Sequence, residues 1–403
     1  MTRKFKKLRI DIINDFIYSV LATGIPIFVM QFIMYPIMAN YMGTIKYGVV
    51  LTVIAGTNVI VAMLGNELSY TRLLRNSHYV KNSQIGDFPY LLILALIIMP
   101  FIGYSYLHFF LNQSLQVTIV VVIWAMIKIL KVYYATSLRL ELDYKNILLY
   151  NILTSIGYLI GLVVVKNGIL WVYAFMTGEI ISLLFVLHKS NFKHDPIIRT
   201  EYFNATFKTY IILVFSSLLS NSLQYFDKFL IFPILGAESV SIYTVAAFFG
   251  KTISLAVLPF SGVLLSYLAS SKIVLNVKSY YKLMVLVIMS SLLFLLIAKY
   301  LSFPVINFLY PNIANSAREY ILIVNLGIVI GIISSISLVI VLKIAPTFWQ
   351  IVISVISLII YLSLGYNWIQ IYGIYGFAYT LIIVNTTKLV ITSILAHNYL
   401  KVG

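Results

Sequence analysis

Apolar residues run along this chain in long unbroken blocks, separated by short polar intervals. Twelve blocks stand out, at 12–38, 47–65, 89–111, 116–136, 146–165, 168–188, 207–235, 239–267, 280–300, 318–342, 347–366 and 371–396. Each exceeds the roughly 18 residues that carry a helix across a hydrocarbon core. The blocks are continuous rather than alternating, which excludes a transmembrane barrel. The pattern predicts an all-α polytopic membrane protein with twelve transmembrane helices.

No polar interval is long enough for an extramembrane domain. The longest with a cluster of charge, His188 to Lys208, contains Asp195-Pro196 and follows the sixth block. It divides the chain into an N-terminal six-helix bundle (1–190), a cytoplasmic linker (191–206) and a C-terminal six-helix bundle (207–403). A weak repeat supports the division. Tyr41-Met42-Gly43-Thr44-Ile45-Lys46-Tyr47-Gly48 matches Ile234-Leu235-Gly236-Ala237-Glu238-Ser239-Val240-Ser241 in position, and Gly168-Ile169 matches Gly373-Ile374. Six spans per half keep the halves in the same orientation. The expected arrangement is two bundles related by a pseudo-two-fold axis along the membrane normal, with a cavity between them.

Composition agrees: 61% of the 403 residues are hydrophobic, 10% are charged, and mean hydropathy is +0.99. The net charge of +16 would suggest nucleic acid in a soluble protein, but here topology explains it. Arg3, Lys4, Lys6, Lys7 and Arg9 precede the first block. Alternate loops then carry Arg72, Arg75 and Lys81; Arg139 and Lys145; Lys189, Lys193, Arg199 and Lys208; Lys272, Lys278 and Lys282; and Lys343. The opposite loops hold only Lys46, Lys166, Lys299 and Arg318. The positive-inside rule places both termini in the cytoplasm. The first block is too long for the core of a signal peptide and reads as an uncleaved span. With no cysteine, disulfides, thiolate metal sites and cysteine nucleophiles are excluded.

Charges inside the blocks are the candidate chemistry, because an ionisable group at membrane depth costs roughly 2.5–3.5 kcal/mol on insertion scales and calls for a partner or a wet cavity. The hairpin from Asn221 to Ser270 carries Asp227, Lys228 and Lys251, with its tight loop at Leu235-Gly236-Ala237-Glu238 and Pro259 near the end of its second helix. Asp227 and Lys251 lie about 12 Å and 15 Å from that loop at 1.5 Å per residue, so they can meet. A structural ion pair and a functional site are both open readings. Lys128, Lys131 and Arg139 form a basic stripe on the fourth block, where Arg139 fits headgroup snorkelling and Lys128 fits a cavity. Glu179 sits mid-block, either as a proton carrier or as the partner of Lys128 or Lys131. Lys388 in the last block reads as a snorkelling residue, and Asp11 and Asp15 read as interfacial. Arg72 and Arg75 read as topology determinants or headgroup contacts.

The 31 tyrosines fit interfacial belts. The five histidines, His78, His108, His188, His194 and His397, lie at block ends or in loops. No Ser-His-Asp arrangement, metal-spaced cluster or phosphate loop is present, and Gly373-Ile374-Tyr375-Gly376 lacks the full glycine pattern and strand of a dinucleotide motif. The expectation is a transporter rather than an enzyme, without a bound cofactor.

Several of these stretches resemble a known family. Tyr41-Met42-Gly43 with Tyr47-Gly48, Asp227-Lys228 followed by Leu235-Gly236 and Tyr243, and Tyr372-Gly373-Ile374-Tyr375-Gly376 are similar to the Wzx-type polysaccharide flippases of the multidrug/oligosaccharidyl-lipid/polysaccharide exporter superfamily. Ser241 stands where that family often has glycine. The resemblance implies translocation of undecaprenyl-diphosphate-linked oligosaccharide repeat units from the inner to the outer leaflet of a bacterial cytoplasmic membrane, for capsule, O-antigen or exopolysaccharide synthesis. The mechanism expected for such a cargo is alternating access by rocking of the two halves about the His188–Lys208 interval. The resemblance also implies a partnership with polysaccharide polymerase and other assembly proteins. On this reading Lys128, Lys131, Lys228 and Lys251 bind the diphosphate headgroup. Asp227 or Glu179 serves proton or sodium coupling, or ion pairing. The alternative is a multidrug or organic-cation exporter of the same superfamily, against which intramembrane lysines outnumber acids. The lipid II flippase branch usually has fourteen spans. A membrane polymerase or glycosyltransferase would need a large outer loop that this chain lacks.

Overall fold

The computed structural model describes residues 3–81, 86–165, 170–255, 276–346 and 348–402. Twelve helices among them are long and apolar enough to cross a membrane. They are α1 (Ile17–Met42), α2 (Thr44–Val80), α3 (Phe88–Phe110), α4 (Leu115–Leu140), α5 (Tyr144–Val163), α6 (Val172–Lys189), α7 (Phe203–Gln224), α8 (Phe226–Ala246, two helical arms that meet at the non-helical Gly236), α9 (Val277–Leu309), α10 (Pro311–Ile344), α11 (Phe348–Tyr372) and α12 (Ile374–Lys401). No strand occurs among the described residues. The reason is the solvent: hydrocarbon offers backbone groups no partner, so each span satisfies its own. Large side chains such as Phe101 (72% exposed) and Phe308 (84% exposed) point outward, as they do where the surrounding medium is lipid.

The expected end of the second span at residue 65 is overrun by a full helical extension. Glu67–Lys81 is polar in sequence yet stays helical because neighbouring elements meet its polar groups: Ser69 Oγ lies 2.5 Å from Thr136 Oγ1, and Arg72 reaches Tyr133 and Asp195. The expected eighth span, 239–267, is described only to residue 255.

The chain folds into two compact units, one of residues 1–35 and 53–222 and one of residues 36–52 and 223–403. The expected cut at 191–206 differs from this division. The chain passes between units inside α1, inside α2 and at the end of α7. Side-chain bonds explain why the linker and α7 group with the first unit. Asp195 accepts from Arg72 at 2.5 Å, Thr200 donates to Asp87 through both its backbone N–H and its hydroxyl, and Arg75 donates to Thr209 and to the Ala205 carbonyl.

Within the first unit, Gly157 and Gly161 of α5 let α6 approach at Ala174, Thr177 and Gly178, the small-residue contact that brings membrane helices close. Within the second, Gly327 and Gly331 of α10 do the same for Leu381, Ile382 and Asn385 of α12. A further core cluster joins Tyr280 and Met284 of α9 to Ile333, Ile336 and Ile340 of α10.

The repeat read from sequence has a conformational basis. Gly43 (φ 79°) and Gly236 (φ 83°), which occupy matching positions, both take the left-handed region that side chains avoid. Gly373 (φ 59°) does so as well, between α11 and α12. Its repeat partner Gly168, with Ile169, lies outside the described residues. The two matched loops also meet within the second unit: Ser241 Oγ donates to the Thr44 carbonyl at 2.6 Å, and Gly48 leaves no room for a Cβ against the Ala237 carbonyl.

Candidate functional site

Each unit holds a cluster of lysines around one carboxylate at membrane depth. In the first unit, α4 supplies Lys128 and Lys131 and α6 supplies Glu179. Lys131 pairs with Glu179, whose other oxygen accepts from the Tyr158 hydroxyl at 2.6 Å. Glu179 is 1% exposed, so its charge depends on these partners. Lys128 takes a different course. Its ammonium donates to the neutral Asn58 amide oxygen at 2.6 Å and lies 4.8 Å from the Trp124 ring centre.

In the second unit, the reversal at Gly236 folds residues 237–255 back along 226–235. Asp227 Oδ2 there accepts from Lys228 at 2.8 Å and from Lys251 at 2.5 Å. Asp227 and Lys228 are almost fully buried, whereas the Lys251 side chain keeps 32% of its surface exposed. Asp227 Oδ1 is buried and has no hydrogen-bond partner among the described residues. Aromatic rings wall the cluster: Lys251 lies 5.6 Å from the Tyr243 ring centre, Tyr243 packs edge-on against Phe377, and Phe377 stacks on Tyr361.

The structure therefore joins Lys131 with Glu179, and joins Asp227 with both Lys228 and Lys251. Both clusters have the same stoichiometry, two lysines to one carboxylate, and each leaves one positive charge in excess.

Other residues fall differently from their sequence reading. Lys388 does not snorkel; it is partly buried near the middle of α12 and donates to Ser335 of α10 at 3.3 Å. Arg72 is not a headgroup contact, because it is 3% exposed, bound to Asp195 and stacked over Phe192. Arg139 is exposed, as a snorkelling residue would be. The side chain of Asp11 lies outside the described residues. Asn58 and Tyr158 were missed in the sequence. Asn58 is a lone amide inside an apolar block, a signal that could have marked it, whereas Tyr158 was lost among the many tyrosines. Among the described residues, no group of three or more His, Asp or Glu side chains is placed to hold a metal ion.

No family profile and no curated protein matches this sequence. Solved structures do match its fold. An inward-facing multidrug resistance MATE transporter of the MOP superfamily aligns at a TM-score of 0.69 with 14% identity, over 96% of this chain and 95% of that one. An outward-facing MATE transporter aligns at 0.65 with 14% identity, over 96% of both chains. The lipid II flippase MurJ, in an inward closed conformation, aligns at 0.69 with 16% identity, over 94% of this chain and 86% of that one.

This chain has the MATE and MurJ fold.

It is thus a multi-pass helical membrane protein with the architecture of transporters and flippases.

Proposed function

We propose that this protein translocates undecaprenyl-diphosphate-linked oligosaccharide repeat units across the bacterial cytoplasmic membrane by alternating access, for capsule, O-antigen or exopolysaccharide synthesis. The observation that carries the reading is the surplus cation in each buried cluster. A diphosphate and a hydroxyl-rich sugar chain cannot cross hydrocarbon unaided, and a buried ammonium left in excess is matched best by an anionic cargo. Lys128 and Lys251 are the headgroup ligands: among the described residues Lys128 has only a neutral amide as its hydrogen-bond partner, and Lys251 is the more open partner of Asp227. Lys131 and Lys228 hold the carboxylates and set the field around them. Likeness to a lipid II flippase supports a lipid-linked cargo. Both termini lie in the cytoplasm, and polymerase and other assembly proteins receive the product.

Coupling to a proton or sodium gradient would run through Asp227 rather than Glu179. Glu179 has one oxygen hydrogen-bonded to Tyr158 and the other ion-paired with Lys131, while among the described residues Asp227 Oδ1 has neither a hydrogen bond nor an ion pair.

The deciding experiment is translocation in proteoliposomes. A fluorescent undecaprenyl-diphosphate oligosaccharide is incorporated, and access of a lectin to the opposite leaflet is followed. Protein-dependent transfer that falls in Lys128→Ala and Lys251→Ala supports the proposal. Failure with the native repeat unit under either gradient, together with efflux of organic cations, would favour a multidrug exporter.

A further inference from the structure

The first unit contains an apolar groove that the charged clusters do not use. It has a volume of about 250 Å³ and is bounded by α2 (Met63, Leu64), α3 (Ala95, Ile98) and α7 (Tyr210, Val214). The α2 wall is a local π-helical turn, Ala62–Asn66, and the Tyr210 hydroxyl donates to the Leu64 carbonyl at 2.8 Å across it. A specific cross-helix bond thus holds the groove's shape. Phe215 (67% exposed) and Leu218 (40% exposed) at its rim open it to the apolar exterior.

Its depth is defined by the α7 residues that line it. Phe207 and Leu218 lie about 6 Å and 22 Å from the start of α7 at 1.5 Å per residue. The groove therefore runs from one end of the bundle towards the middle of a core about 30 Å thick. By the loop charge asymmetry, that end is the cytoplasmic one.

A cation stands at this end. Arg75 donates through Nε and Nη2 to Thr209 and through Nη2 to the Ala205 carbonyl. All these partners are neutral, and among the described residues Arg75 forms no ion pair, in contrast to Arg72 with its Asp195. Lys208 is exposed one residue away from Thr209. The nearby carboxylate, Glu67, faces Ser217 and lies two helical turns deeper, about 12 Å along α2 from Arg75. It does not neutralise the mouth. An arginine held by neutral acceptors with donors to spare is suited to phosphate.

We propose that this groove seats the isoprenoid chain of a polyprenyl phosphate or diphosphate while Arg75 holds its phosphate. This rests on the flippase reading and adds where the lipid part of the cargo waits in the cytoplasmic leaflet. A groove of this volume, open along one side, admits a short length of hydrocarbon chain.

The test is photolabelling of the full-length protein in nanodiscs with a benzophenone-bearing polyprenyl phosphate, followed by peptide mapping. The expected result is labelling within 94–102 and 207–218, competed by undecaprenyl phosphate and not by phosphatidylglycerol at equal concentration. Filling the groove with Ile98→Trp, or separately with Val214→Trp, should reduce labelling about tenfold, a loss of roughly 1.4 kcal/mol in binding. Arg75→Gln should weaken competition by undecaprenyl phosphate but not by the uncharged undecaprenol. Equal competition by phosphatidylglycerol would identify ordinary boundary lipid and overturn the proposal, as would labelling confined to other helices. Normal translocation by a well-folded Ile98→Trp protein would sink the groove's role and leave the flippase reading standing. Specific labelling without any oligosaccharide transfer would do the reverse.

Discussion

Lys251 Nζ lies 2.5 Å from Asp227 Oδ2, across 24 residues of sequence and the reversal at Gly236. Lys228, next to Asp227 in the chain, binds the same oxygen. One carboxylate thus offsets two ammonium groups. Removing it should be far worse than removing either lysine, because Asp227→Ala strands two cations at membrane depth. The expected loss is about 3–5 kcal/mol, the usual cost of breaking a buried pair from one side. Thermal unfolding of the purified variants checks this: a large drop in Tm for Asp227→Ala and a smaller one for Lys251→Ala. Equal drops would mean the pair is not the organising contact.

Lys128 makes the opposite prediction. Its hydrogen-bond partner is the neutral Asn58, so Lys128→Gln leaves no charged group stranded. Glutamine can still donate to Asn58 and brings no charge to desolvate, so stability should change by no more than about 1 kcal/mol. Translocation should nevertheless fall, because the headgroup loses a ligand. Measuring Tm and lectin access on the same preparation separates the two effects. A destabilised Lys128→Gln that transports normally would assign Lys128 to structure alone.

Much of this was legible in the sequence, for identifiable reasons. Hydropathy marks spans because lipid permits only self-satisfied helices, and twelve were found. Asp227, Lys228 and Lys251 stood out because charge inside an apolar block is rare, and their meeting followed from counting residues to the Gly236 loop. Two features were hidden. The helical run from Glu67 to Lys81 is polar, and only the partners Thr136, Tyr133 and Asp195, distant in sequence, explain why it stays helical with Ser69 and Arg72 buried. The division into units was hidden too, because a charged linker looks free until Arg72 and Asp87 are seen to hold it.

Tyr158 offers a graded test of the first cluster. Its hydroxyl donates to Glu179 at 2.6 Å, while Lys131 pairs with the other oxygen. Tyr158→Phe deletes one hydrogen bond to a buried carboxylate and should cost about 1.5–3 kcal/mol. Glu179→Gln should cost more, since it leaves Lys131 without a counter-charge. A Lys131→Met/Glu179→Met double variant removes both charges and should recover part of the stability lost in Glu179→Gln. Denaturation midpoints of the three variants give the order directly.

Gly236 and Gly24 form a matched pair for testing the hairpin. A Cβ added at either position would meet no atom within 4 Å, so crowding is not the issue at either site. Gly236 has φ 83° and Gly24 has no such constraint. Alanine at Gly236, whose ψ of 177° puts it in a positive-φ region kept almost entirely to glycine, should therefore cost about 1–3 kcal/mol from backbone strain alone. Alanine at Gly24, inside the helix Arg3–Val29, should be neutral or stabilising by up to about 1 kcal/mol. The strain at Gly236 also bears on function, because the turn sets the register that brings Lys251 to Asp227. Gly236→Ala should lower translocation along with Tm, whereas Gly24→Ala should leave both intact. If both variants behaved alike, the turn conformation would not be what positions the pair.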